Sequence, residues 1–317
     1  MHSLPGNPPD SLSAARQKIV VLQGPTGVGK TAVALKLARE ISGEIVNADS
    51  QQFYRHMDIG TSKPTASEQA AAPHHMFSII NPDEEFNAAR FMHEARRCIA
   101  DIAARGRVPL IVGGTGLYVR ALTRGLSSAP PADAELRQEL KSLGKEELRR
   151  RLELADPEAA GRISPNDLVR MVRALEVYKL TGEPISRHNS RHAFLDAPYD
   201  CLKLCLNRSR EVLYGRINAR VAAMLAAGLV REVEELLALG YGPGLRPLGS
   251  IGYRQIGQYL QGGLTLVEAV LHMEQETRRF AKRQLTWLRH DSENIWIELP
   301  AGEPDILPLA KKFLNVD

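Results

Sequence analysis

In IVVLQGPTGVGKTAVALKLARE, residues 19–40, an apolar run stops at Gly24, a loop of small residues follows, and Lys30 and Thr31 open an amphipathic segment. The spacing Gly24-x4-Gly29-Lys30-Thr31 is that of a phosphate-cradling P-loop, with a strand before it and a helix after it. Glycines let successive backbone N–H groups converge on phosphate oxygens, and the helix starting near Gly29 adds the positive end of its dipole. Lys30 can bridge terminal phosphate oxygens, and the Thr31 hydroxyl can ligate a phosphate-bound magnesium ion. A glycine-rich turn without a ligand is the plain alternative, and the complete motif in its required context weighs against it. The stretch announces a bound polyphosphate without saying whose phosphates they are.

Working outward, residues 18–23 read as a buried strand, 30–41 as a helix, and GEIVNADS as a second strand ending near Asp49. A turn-rich stretch, TSKPTASEQAAAPHH, leads to a helix over 87–105, which Gly106 ends, and VPLIVGG forms another apolar strand. Strands alternating with helices at this spacing predict an α/β fold, a P-loop NTPase-like parallel sheet flanked by helices. The pattern then changes. RGLSSAPPADAEL leaves the sheet, 134–181 has helical periodicity, and CLKLCLN from Cys201 restores an alternating strand. The expected organisation is a tail over 1–17, a discontinuous catalytic core over 18–125 and 200–317, and an inserted helical domain over 126–199. After the last strand the reading is helical: 209–227, 230–239, 251–260 and a long helix from Leu266, opened by a Thr265–Glu268 capping box.

A chain of 317 residues with 44% hydrophobic and 25% charged content is an ordinary globular composition, and 5% aromatic residues argue against a β-sandwich or barrel. No run approaches the ~20 apolar residues of a membrane span. The first 17 residues lack the apolar centre of a signal peptide. Three cysteines without scaffold spacing (Cys98, Cys201, Cys205) suit a reducing compartment, so a cytoplasmic protein is expected, and it is read as a monomer. A net charge of +4 and a pI near 9.0 leave room for a polyanionic partner if the basic residues cluster.

They do cluster. In ETRRFAKRQLTWLRH, Arg278 and Lys282, and Arg279 and Arg283, stand at i,i+4 spacing, while Phe280 and Leu288 are expected to face the core. Trp287 can pack on the core or stack on a base. In NDLVRMVRALEVYK, Arg170 and Arg173 lie one turn apart, with Arg187 and Arg191 downstream. A charge run alone is usually a solvated face. Two arginine-rich helices in a basic protein point to nucleic acid.

Asp49, at the carboxyl end of a strand, is expected in the ligand crevice. Its roles stay open on the residues alone: magnesium-associated acid, ligand of a substrate hydroxyl, general base, or simple turn former. PLIVGGTGLY ends in glycines and Thr115 where many P-loop NTPases carry a strand-end acid. A Gly-Gly-Thr-Gly turn offers N–H groups and a hydroxyl to phosphate, or is simply a tight turn. Neither guanine-binding nor ABC-type signatures occur. His74-His75 cannot readily chelate one ion and is read as loop or phosphate-neighbour.

Taken in order, GPTGVGKT, NADSQQFYRHMDIGTSKP, HHMFSI, VGGTGLYVRAL, NDLVRMVRALEVY, RINARVAAML, IGYRQI and TRRFAKRQLTWLR resemble the tRNA dimethylallyltransferase, or tRNA isopentenyltransferase, family across nearly all of 18–291. The resemblance implies transfer of a five-carbon prenyl group from dimethylallyl diphosphate to the exocyclic amine of the adenosine immediately 3′ of the tRNA anticodon. It implies Asp49 as the base, with Thr115 as a second catalytic residue that, with Lys30, Thr31 and Arg220, neutralises charge growing on the departing oxygens. Diphosphate contacts would come from Gly24, Thr26, Gly27, Val28, Gly29, Lys30, Thr31 and Arg220, with Mg2+ at Thr31. RNA contacts to the anticodon stem-loop would come from Asp49, Ser50, Gln51 and Gln52 and, in the insert, Arg137, Arg170 and Arg173. Further contacts would be Gly252, Tyr253, Arg254, Arg279, Lys282, Arg283 and Gln284. This chain departs from the family in carrying Gly27-Val28 where Ala-Ser is frequent, and Gln51-Gln52 where Met-Gln or Ala-Leu is common. The second departure leaves open what Gln51 contacts. Two rival readings are a P-loop kinase of a small molecule, with the insert as lid, and an RNA-binding protein using the P-loop as a nucleotide sensor.

Overall fold

The computed structural model describes residues 16–127, 129–192 and 196–316. Residues 1–15 of the expected tail lie outside the described residues. Strand β1 (Gln17–Gln23) starts one residue ahead of its expected position. It is followed by β2 (Gly43–Asn47), β3 (His74–His75), β4 (Val108–Gly113), β5 (Tyr199–Asn207) and β6 (Ile295–Glu298). All pairings are parallel and the sheet order is β3-β2-β4-β1-β5-β6. Parallel strands covered by helices on both faces need unbroken apolar runs, and Ile19–Leu22 is fully buried. Alternation then divides them. Ile19 and Val21 join a core with Phe91, Ile99 and Tyr253, while Val20 and Leu22 join one with Val33, Leu37 and Leu213.

The chain leaves β1 through the helix Lys30–Glu40 and enters β2, two places away, leaving a gap that β4 later fills. The carboxyl ends of β1, β2, β4 and β5 therefore deliver Gly24, Asp49, Gly114 and Arg208 to one edge, where ligands of open parallel sheets bind.

Several elements differ from expectation, among them the short helix Ala66–Ala71, capped by Thr65 in the stretch read as turns, and the helix Gly116–Arg124. Ile295–Glu298 is an edge strand, too short and too closely bounded by polar residues and Pro300 to show a period. The helix Ile306–Leu314 follows it. His74-His75 is a strand rather than a loop; His75 Nε2 lies 2.7 Å from the buried Glu44 of β2, which also accepts from Arg105 at 2.7 Å. Phe280 lies on the solvent side of its helix, 37% exposed, while Leu288 is buried as expected.

The described residues form two compact units, one up to Thr123 and from Pro198 onward, the other Arg124–Ala197. The second contains the helices Ala134–Ser142, Lys145–Ala155, Pro157–Arg162, Leu168–Thr181 and Ile185–His192. Its core includes Leu140, Leu148, Leu152, Met171 and Leu175. Asp156 caps one helix through Ala159 N and reaches Ser186 N, both at 2.9 Å. Among the described residues no helix is long and apolar enough to cross a membrane.

Candidate active site

Two glycines give the P-loop its shape. Gly27 has φ +83°, and a Cβ there would come within 2.9 Å of Ile217 Cγ1. Gly29 has φ +108° and precedes the helix Lys30–Glu40, so its N–H and those of the first turn face outward, free for an anion. The loop borders a cavity of about 360 Å³, within the range that holds small ligands. Lys30, Thr31, Asp49, Gln52, Arg216 and Arg220 are among its polar lining residues, with Glu68 and His74, and Ile45, Phe77 and Val112 among its apolar ones.

Lys30 Nζ folds back on the carbonyls of Gly24 (3.0 Å) and Pro25 (3.1 Å). Burial pushes its pKa down to about 8, with Asp49 opposing and Arg220 adding to the shift. Arg220 donates to Thr26 Oγ1 at 2.6 Å, and its Nε is buried with no acceptor. Burial also lowers the Arg220 pKa, against the pull of Asp49. A buried cation with an unmatched donor is a group prepared for an anionic ligand. Two arginines outside the P-loop motif and not among the expected diphosphate contacts also hold this loop: Arg216 Nε donates to Gly27 O and Arg208 Nε to Val28 O, each at 2.9 Å. The i,i+4 spacing of Arg216 and Arg220 was the available signal.

Asp49 sits on the loop after β2, half-buried across the cavity from Lys30. Its Oδ1 accepts from Gln51 N at 3.0 Å, and its own N–H donates to Asn47 Oδ1 at 2.9 Å, an arrangement that aims the carboxylate. Thr115 Oγ1 accepts from Ser50 N at 3.0 Å, and Thr115 N donates to Ala48 O at 3.3 Å. Thr115 thus braces the Asp49 loop. Gln52 Nε2 bonds to Thr61 O and Ser62 O, both at 3.0 Å, and Gln51 Oε1 is buried without a partner. His74 borders the cavity, with Nδ1 2.7 Å from Ala72 O.

Other sequence candidates lie elsewhere. The glycines at the end of β4 and in the turn after it are there for close packing: a Cβ would fall 2.2 Å from Ala48 O at Gly113, 2.4 Å from Gln284 Nε2 at Gly114 and 2.0 Å from the Trp287 ring at Gly116. Gln284, expected on the RNA, is buried; it accepts from Thr26 N and donates to Gly114 O, both at 2.9 Å, tying the P-loop to the β4 turn. Tyr253, expected there too, is a core residue whose hydroxyl donates to Glu232 at 2.6 Å. Gly252 N bonds to Gln255 Oε1 at 2.9 Å in the same buried turn. Arg137 and Arg173 are held by the fully buried Glu176, at 2.8 and 2.5 Å, so their charge is already matched inside the insert. Arg170, paired with Asp167 at 2.8 Å, remains exposed, as does Arg254, paired with Glu276. Arg279, Lys282 and Arg283 lie exposed on one helix, with Arg283 over the Phe280 ring.

Residues 52–291 match the family model described as IPP transferase, and residues 17–74 match the isopentenyl transferase model. A tRNA dimethylallyltransferase of Citrifermentans bemidjiense is 52% identical over 297 residues, covering 94% of this chain and 97% of that one. The structure superposes on the tRNA isopentenylpyrophosphate transferase of Bacillus halodurans with a TM-score of 0.72 at 38% identity, covering 95% and 97% of the two chains. It also superposes on a eukaryotic dimethylallyltransferase acting on tRNA with a TM-score of 0.82 at 27% identity, covering 95% and 80%. With three quarters of its length inside one family model and a relative at half identity along nearly all of it, this chain belongs to the IPP transferase family.

Proposed function

We propose that the protein transfers the dimethylallyl group of dimethylallyl diphosphate to the exocyclic amine of the adenosine 3′ of the anticodon in tRNA. The observation that carries this reading is one cavity whose lining includes the cationic P-loop, the Asp49 carboxylate and the apolar side chains of Ile45, Phe77 and Val112. A diphosphate fits the first part and a five-carbon chain the last. A small-molecule kinase would use the loop but has no need of those apolar side chains.

The amine nitrogen attacks the primary allylic carbon, the C–O bond to the diphosphate breaks, and the departing oxygens take the electron pair. The adenine amine is a weak nucleophile because its lone pair is delocalised, so Asp49 accepts its proton as the C–N bond forms, help worth about 10²–10⁴-fold. Lys30 and Arg220 face the charge that grows on the leaving group. Thr115 supports this by holding Ser50 and hence the Asp49 loop. Among the described residues no three His, Cys, Asp or Glu side chains gather to hold an ion alone. Magnesium fits here as a companion of the diphosphate, with the Thr31 hydroxyl as its protein ligand, where it would neutralise phosphate charge. The target base must leave the anticodon stack to reach the cavity. Exposed Arg170, Arg254, Arg279, Lys282 and Arg283 are the basic groups offered to RNA, and the reaction would take place in the cytoplasm.

The test is dimethylallyl diphosphate against ATP, each with and without unmodified tRNA. Prenylated adenosine in the digested RNA is expected. Phosphate transfer would favour a kinase, and binding without turnover an RNA-bound nucleotide sensor.

A further inference from the structure

Three successive P-loop residues each receive an arginine: Thr26 from Arg220, Gly27 from Arg216 and Val28 from Arg208. Arg208 follows β5, the neighbour of β1, and Arg216 precedes Arg220 by one turn on the helix Arg210–Ala226. The motif that identifies the loop contains none of them. We propose that Arg208 is a positioning residue that orients the Val28–Gly29 peptide toward the diphosphate, and that Arg216 is a further diphosphate ligand. The inference rests on the prenyl-transfer reading only for the identity of the donor.

Geometry carries the first half. A trans peptide holds its C=O and N–H on opposite sides. Val28 O is fixed by Arg208 at 2.9 Å, so the Gly29 N–H is turned the other way, and Gly29 borders the cavity. With φ +108° and no side chain, Gly29 lacks steric means to hold that orientation itself. Arg216 supports the second half. It uses Nε alone on Gly27 O, lines the cavity, and brings a terminal nitrogen within 3.5 Å of where a Gly29 Cβ would stand. The guanidinium fork therefore has donors left for a second acceptor.

Charge points the same way. Arg208, Arg216, Arg220 and Lys30 surround one loop, and the carboxylates that face them are Asp49, toward Lys30 and Arg220, and Glu303, toward Arg208. Burial and then the neighbouring Arg216 lower the Arg208 pKa. Such crowding opposes itself in the empty protein and becomes favourable when a diphosphate supplies the missing negative charge.

The experiment uses the full chain and five variants: Arg208→Met, Arg208→Lys, Arg216→Gln, Arg216→Lys and, as the reference for a lost phosphate contact, Lys30→Ala. Inorganic pyrophosphate binding is measured by calorimetry, and kcat and KM are measured separately for the donor and for tRNA. Arg216→Gln should weaken pyrophosphate binding and raise the donor KM by roughly 10- to 100-fold, as for a lost bond to a charged group, with the tRNA KM unchanged. Arg216→Lys should recover part of that. Arg208→Met, which keeps the length of the side chain but has no donor, should weaken pyrophosphate binding and lower kcat by about tenfold or more, and Arg208→Lys, which can still donate to Val28 O, should recover most of both. Wild-type pyrophosphate binding by Arg208→Met would overturn the positioning role, and by Arg216→Gln the ligand role. Equal losses toward tRNA and donor, the mark of general destabilisation, would overturn both. If Arg208→Met does not fold, Arg208→Lys decides: a folded Lys variant that binds no better than Lys30→Ala overturns the positioning role. Wild-type protein that binds pyrophosphate but transfers no prenyl group would instead sink the proposed reaction, and the binding arm would still stand as the test of the arginines.

Discussion

Asp49 and Lys30 face each other across one cavity, so removing either separates proton transfer from leaving-group stabilisation. Asp49→Asn keeps the size and the hydrogen bond to Gln51 N while removing the proton acceptor. Donor and tRNA should still bind, and single-turnover kcat should fall roughly 10²-fold or more. Retained catalysis with lost tRNA binding would show that Asp49 places the base and another group takes the proton. Lys30 makes a second prediction. Its pKa of about 8 in the free protein lies below its ordinary 10.5. The unfolded chain therefore binds the proton more tightly between those values, and this lysine's penalty on folding fades as pH rises through them. A bound diphosphate reverses the shift. Donor binding should take up a proton at about pH 8.5 and almost none at about pH 7, read by calorimetry in buffers of different ionisation enthalpy. Uptake by the diphosphate itself would persist in Lys30→Ala; the lysine's share should vanish. Identical uptake in wild type and Lys30→Ala would remove Lys30 from the phosphate site.

At the scale of elements, the helix Leu266–Leu288 does two jobs on two faces. Gln284 and Leu288 point inward, and Gln284 joins the P-loop to the turn after β4, whereas Arg279, Lys282 and Arg283 are exposed. Replacing Lys282 and Arg283 together with Ala should weaken tRNA binding and flatten its log–log salt dependence by about one to two units. Saturating tRNA should restore most of kcat, because the lost contacts serve binding. An unchanged salt slope would make these residues an ordinary solvated face. The comparable pair in the insert behaves differently. Arg173 is tied to Glu176 and to Pro130 O at 2.7 Å, so its loss acts on the packing of that unit rather than on the salt slope.

For the whole molecule, each compact unit carries one buried glutamate matched by arginine. Burial would raise the pKa of Glu44, but hydrogen bonds from Arg105 and His75 outweigh it and hold it below the ordinary 4.5. Glu176 is likewise raised by burial and lowered further by Arg137, Arg173 and the Asp133 N–H. Depressed carboxylates contribute stability that is fully present above their unfolded pKa and lost as pH falls through the folded one. Urea midpoints should be level from neutrality to about pH 5 and fall below about pH 4.5. Glu176→Gln should reduce that acid dependence while Glu44 maintains the rest. A midpoint indifferent to pH below 4.5 would contradict both assignments.

The P-loop, the parallel sheet, Asp49 at a strand end and the helical stretch after residue 125 were legible in the sequence because each depends on local pattern: a fixed glycine spacing, unbroken apolar runs, helical period. The four-residue β6 and two-residue β3 are too short to carry a period, and only pairing with β5 and β2 makes them strands. The same limit applies to side chains. Gln284, Tyr253 and Arg137, which the resemblance assigns to RNA, are each claimed by a partner 21 to 258 positions away, at Thr26, Glu232 and Glu176. Arg173 differs in having its carboxylate only three residues along its own helix, where burial of Glu176, invisible in sequence, decides the pairing. Conversely, Arg208 and Arg216 meet the P-loop only because β5 lies beside β1, about 180 positions further along the chain. Residue type and spacing determine what chemistry a segment can supply; which donors meet which acceptors is determined by the packing that removes their alternatives in water.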